Sequence, residues 1–210
     1  MKKILILIGL VDSVSGLAAQ VGPQLPPGYS NFGHPLMMPY NPYFVGPSGV
    51  YFDGQPIPDA TPASFQILAD GYAKDAFNVY YLGHVMQQAA PGSFQVLGYG
   101  YAKDNWNVYF NGVKIPDATP MSFNELGDGY AKDAWNVYFA GKAIPGASPQ
   151  NFRVLADGYA ADTFNVYFDG TPIQGAQPGS FEVRGNGYAT DAFSTYYWGR
   201  KLPAWPGAIP

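Results

Sequence analysis

Apolar and polar positions along this chain recur every 29 residues, so the repeating object is a small supersecondary motif and not a single strand or helix. Gly-Tyr-Ala begins at Gly71, Gly100, Gly129, Gly158 and Gly187 without one insertion. A degenerate copy precedes them over 42–70, where Tyr43, Val50, Tyr51, Gly54, Ile57 and Phe65 hold the matching positions. Within one unit, Gly129-Tyr130-Ala131-Lys132 reads as a short strand. Asp133-Ala134-Trp135-Asn136 reads as a turn, because Asp and Asn side chains bond local backbone. Val137-Tyr138-Phe139 reads as a second strand, ended by Gly141, which predicts a hairpin with a four-residue connection. Ala147-Ser148-Pro149 then predicts one helical turn with Ser or Thr as its cap and Pro first, as also at Thr61-Pro62 and Thr119-Pro120. Phe152-Arg153-Val154-Leu155 returns to an extended strand, so each unit holds two or three short strands.

No such unit can bury its apolar residues alone, and stacking is the remedy. It predicts ladders of like rings, Tyr138 beside Tyr109 and Tyr167, and Phe152 beside Phe123 and Phe181. A four-stranded propeller blade takes about 40–45 residues. Twenty-nine is too few, which favours an open array or solenoid over a ring. The reading is an all-β chain of tandem 29-residue hairpin repeats with one short helical turn per unit, divided as 42–70, 71–99, 100–128, 129–157, 158–186 and 187–210.

Composition supports this class. Gly (26) and Pro (20) are too frequent for a helical bundle, and 17% aromatic with 12% charged residues is the wrong balance for a disordered chain. A net charge of −4 from eleven scattered basic residues argues against nucleic acid. The absence of Cys excludes disulfides and thiolate metal sites.

Residues 1–18 resemble an export signal: Lys2 and Lys3, an apolar run from Ile4 to Val11, then small residues to Ala18. The run is too short to span a membrane, and Asp12 interrupts it. Residues 19–41 are rich in Pro, Gly and Tyr and read as an extended arm or linker, either solvated or docked through Met37, Met38 and its tyrosines.

The unit Gly71-Tyr72-Ala73-Lys74-Asp75, with Asn78-Val79-Tyr80-Tyr81 and Gly83, resembles the bacterial DKNYY repeat family over about 42–210. The Pro120-Met121-Ser122-Phe123 block and its copies fit the same pattern. The chain departs from it at the Lys-Asn pair of that family's turn, where it carries pairs such as Ala76-Phe77 and Asn105-Trp106. The resemblance implies an exported or envelope-associated protein, and it brings no catalytic residues with it.

Candidate chemistry is sparse. The two histidines, His34 in the arm and His84 after Gly83, have no nucleophile or companion base nearby in sequence, so an enzyme is not expected and no cofactor is implied. Asp75, Asp104, Asp133, Asp162 and Asp191 recur in every full unit, with Asp70, Asp128 and Asp157 before three of the Gly-Tyr pairs. Bonding to turn amides explains them better than a calcium site. The binding candidates are the turn aromatics Phe77, Trp106, Trp135, Phe164 and Phe193, whose rings either fold back over a neighbouring unit or stand out to meet a partner or a sugar face. The expected role is a non-enzymatic structural or interaction element, secreted or in the bacterial envelope, with protein contact or self-association. The alternative is a carbohydrate-binding module for cell-wall or capsular glycan.

Overall fold

The computed structural model describes residues 42–203; the predicted export signal and arm lie outside the described residues. The chain forms six small antiparallel sheets in succession. The fourth is representative, with strands Asn124–Gly127, Tyr130–Lys132, Val137–Phe139 and Lys142–Ala143 in simple meander order. The predicted hairpin is there, with Tyr130 opposite Phe139, Ala131 opposite Tyr138 and Lys132 opposite Val137.

Each sheet of the five full units has four strands where the sequence suggests two or three. The fourth strand, Lys142–Ala143, has only two residues, too few to show a period of 2. The first strand also comes from the preceding repeat, so a sheet straddles the boundary between consecutive 29-residue copies.

The predicted helical turn is a three-residue 3-10 turn at Pro62–Ser64, Pro120–Ser122, Pro149–Asn151 and Pro178–Ser180. Residues 91–93 make a turn without helical pairing. The expected Ser/Thr side-chain cap is not made at Thr61, Thr119 or Ser148. Their backbone N–H groups are bound instead, by an aspartate 14 residues ahead, as in Thr61 N–H to Asp75 Oδ2 at 2.8 Å. Ala90 and Gln177 do the same, so the position needs only its N–H and not a hydroxyl.

Successive sheets stack face to face, because alternate residues of a strand point to opposite faces. Tyr101 and Val108 on one sheet meet Ala131 and Tyr138 on the next, with Ile115 and Phe123 between them. This layer occurs five times. Its ring contacts join unlike positions, which corrects the expected ladders of like rings: Tyr101 packs on Phe123 at 5.5 Å, and Phe123 on Tyr138 at 5.5 Å. The phenylalanine lies in the chain between the two sheets and is therefore wedged between their tyrosines.

The two tyrosine positions have different polar duties. The phenol of Tyr72 donates to the Gly100 carbonyl and accepts the Gly112 N–H, both at 2.9 Å, and thus staples its sheet to the next hairpin. Tyr43, Tyr101, Tyr130 and Tyr159 repeat this staple. Gly112 has φ +76°, and a Cβ there would come within 2.5 Å of the Tyr81 ring, so both backbone sign and close approach require glycine. The two end sheets keep exposed outer faces, with Phe44 62% exposed at one end and Tyr188 46% at the other, so the array does not close on itself.

Candidate interaction surface

The turn between the second and third strands carries the candidate aromatics, and in three of the five units its backbone is tied at every N–H. In the second sheet, Asp75 N–H donates to the Asn78 carbonyl at 2.9 Å. Ala76 N–H donates to Ser64 Oγ at 3.1 Å, and Phe77 and Asn78 N–H both donate to Asp75 Oδ1, at 2.8 and 2.7 Å. The turns at Trp106 and Trp135 repeat all four bonds. At Phe164 the serine is replaced by Asn151, whose side-chain amide donates to Thr163 Oγ1 at 3.1 Å.

The aspartate of each turn, buried in the first four and half-buried at Asp191, is the hub of this network. Asp133 Oδ1 takes two turn amides, while Oδ2 takes the Thr119 N–H and the Tyr138 hydroxyl, both at 2.9 Å. Burial pushes the carboxyls of Asp75, Asp133 and Asp162 upward, but the backbone and tyrosine donors outweigh it and hold all three below the ordinary carboxylate value. Burial, followed by the hydrogen bond to the aspartate, pushes the partner phenols of Tyr80, Tyr138 and Tyr167 up to about 12. The carboxylate oxygens are thus spent on the protein's own donors. Among the described residues no cluster of three His, Asp or Glu side chains is placed to hold a metal. Of the second acidic series, Asp70 and Asp157 accept the N–H of Gly100 and Gly187 in the following sheet, at 3.0 and 2.8 Å.

With the backbone fastened inward, the rings point outward. Phe77, Trp106, Trp135, Phe164 and Phe193 are between 73% and 83% exposed, so none folds back over its neighbour. They repeat at the same place in five consecutive sheets. Packed sheets lie about 10 Å apart, which sets roughly the step from ring to ring. The result is a ridge of flat apolar groups on hydrogen-bonded turns, a surface suited to contact. His84 is an exposed residue at the start of a fourth strand.

Sequence reasoning located the rings and the local duty of the aspartates. It missed what each aspartate binds outside its turn, the amide 14 residues back and the tyrosine five residues on, and the serine that takes the N–H of the residue after the aspartate in four of the five turns. The signal was present in the Pro-x-Ser-Phe block, whose serine keeps a constant offset from the turn.

Among the described residues no helix is long and apolar enough to cross a membrane. No curated protein and no solved structure matches the chain. The profile of the DKNYY family matches residues 88–200, more than half of the sequence, and takes in the hairpins, the aspartate hubs from Asp104 on and the tyrosine staples from Tyr101 on. This chain belongs to the DKNYY family.

Proposed function

We propose that the protein is a non-enzymatic structural and interaction element, exported to the bacterial envelope or the extracellular space, where a stiff stack of sheets presents its aromatic ridge to a protein partner. The observation that carries this reading is the exposure of five rings on aspartate-tied turns, three of which have all four amides bound. Exposed apolar rows of this kind mark contact sites, since a soluble surface otherwise scatters such side chains singly. Export is supported by the basic start, apolar run and small residues of 1–18.

A second reading has a specific feature in its favour. Exposed flat rings that recur at one position of successive units match a polymer that repeats its own faces, so cell-wall or capsular glycan is the alternative ligand, with rings stacking on sugar faces. The experiment is a pull-down of the purified chain on envelope protein fractions and, separately, on insoluble peptidoglycan, chitin and cellulose, with a Trp106→Ser/Trp135→Ser variant beside it. Capture by protein that the folded variant loses supports the first reading. Retention on a glycan, lost in the variant, replaces it with the second, and equal behaviour of parent and variant removes the ridge from both.

A further inference from the structure

Five interior layers are built from the same two half-interfaces, and each end of the array retains one half. On the leading side a layer offers a tyrosine staple and a ring, such as Tyr130 and Phe139. On the following side it offers a glycine, here Gly170, whose N–H donates to the Tyr130 phenol at 3.0 Å and whose ideal Cβ would lie 2.6 Å from Phe139.

The last sheet ends with the leading half uncovered: Tyr188 and Tyr197, the counterparts of Tyr130 and Phe139, are 46% and 41% exposed. The first sheet carries the following half. Gly54 has the required φ of +74°, and among the described residues nothing lies within 4 Å of its would-be Cβ. The Pro42 carbonyl accepts Asp53 N–H at 2.9 Å, just as the Gly71 carbonyl, which takes the Tyr43 phenol, accepts Leu82 N–H at 2.9 Å.

We propose that the last sheet of one copy docks on the first sheet of a second copy, head to tail, with the Tyr197 ring over Gly54 and the Tyr188 phenol between the Gly54 N–H and the Pro42 carbonyl. Two sequence positions oppose the fit. Position 210, which the 29-residue period matches to the wedged Phe123, Phe152 and Phe181, is a proline. Phe44 stands where the inner sheets have a buried alanine such as Ala73 or Ala102, and its ring leans over Tyr51 at 6.0 Å between centroids. It narrows the seat and keeps the joint weak. Because the two faces differ, the contact is heterologous and grows as a linear fibre instead of closing as a dimer. The joint uses none of the ridge rings, so it stands or falls independently of the proposed function.

The test is sedimentation velocity of the full chain over a concentration series into the millimolar range, with circular dichroism confirming that each variant is folded. The parent is expected to gain mass steadily with concentration. Gly54→Asn adds a side chain that the isolated chain has room for and that the joint has not, and it is expected to abolish growth. Tyr188→Phe removes two hydrogen bonds and is expected to weaken association about fivefold or more. Phe44→Ala is expected to strengthen it. A chain that stays monomeric throughout overturns the proposal, including one in which deletion of 204–210 then releases association, since the chain's own tail is then the occupant. Growth indifferent to Gly54→Asn and Tyr188→Phe also overturns it.

Discussion

Arg153 lies directly opposite Ala161 across an antiparallel pair and carries its guanidinium to the Pro178 carbonyl, 3.2 Å away. The corresponding carbonyls of Pro91, Pro120 and Pro149 are held by Lys74, Lys103 and Lys132, from the position that Ala161 occupies in its own unit. The cation has moved to the facing strand, and the carbonyl has kept its donor. In the last unit Thr190 takes this position, with no further 3-10 turn among the described residues to bind. Arg153→Ala is expected to lose about 1 kcal/mol, and Arg153→Ala/Ala161→Lys to recover most of it. Urea denaturation of the two variants checks this; a double variant no better than the single one assigns the loss to the arginine stem and not to its donor.

The aspartate hubs are expected to be the most sensitive polar positions. Asp133→Ala strands the N–H groups of Thr119, Trp135 and Asn136 together with the Tyr138 hydroxyl, and a loss of about 3 kcal/mol follows from leaving such groups without acceptors. Tyr138→Phe removes one donor and is expected to cost about 1 kcal/mol. Equal losses in urea melts of the two variants contradict the hub.

The same network sets the pH range of stability. The carboxyls of Asp75, Asp133, Asp162 and Asp191 lie below their ordinary value when folded, so the unfolded chain binds their protons more readily. Their stabilisation is therefore complete above the unfolded value of about 4 and drains as pH falls through the folded values. Burial and the nearby Asp128 push Glu125 and Asp169 the other way, and these two soften the acid loss. The phenols of Tyr80, Tyr138 and Tyr167, raised to about 12, give stabilisation that is complete below the unfolded value of about 10 and is lost as pH rises through the folded one. A plateau in the thermal midpoint between about pH 5 and 9.5, with a fall on both sides, is the expected profile. Ultraviolet tyrosinate absorbance that rises in step with unfolding ties the alkaline limb to the phenols.

Two adjacent residues of one turn are expected to respond in opposite directions. Gly141 has φ +76°, and an added Cβ would lie 2.7 Å from Phe110 Cβ, so Gly141→Ala is expected to cost about 3 kcal/mol. Ala140 has φ +45°, in the left-handed region that alanine adopts less readily than the Asn111 and Asp169 that hold the same position in the neighbouring units. Ala140→Asn is accordingly expected to raise stability by about 0.5 kcal/mol. Thermal melts of the pair decide it, and a destabilised Ala140→Asn places the side chain in contact with something other than solvent.

Replacing Trp106 and Trp135 by Ser is expected to change stability by no more than about 0.5 kcal/mol per site, as befits rings that are 77% and 76% exposed. A large drop in the melting temperature means that the rings are packing groups in solution and removes the ridge as a contact surface.

The 29-residue period, the hairpin at its centre and the all-β class were legible from the chain alone, because an uninterrupted repeat forces every copy into one conformation and its turn residues declare themselves locally. Tyr138 and Phe152 were recognisable as core, but not their partners. Which ring meets which depends on the offset between stacked sheets, and the phenylalanine belongs in space to a layer between two repeats. Likewise Asp133 announced its bonds to the adjacent turn but not those to Thr119 and Tyr138, which arise only when separate segments are folded against it. The direction of Trp106 and Trp135 was open in the sequence for the same reason. A turn residue's outlook is set by what its backbone is tied to, and here serine and aspartate tie that backbone inward and leave the rings to solvent.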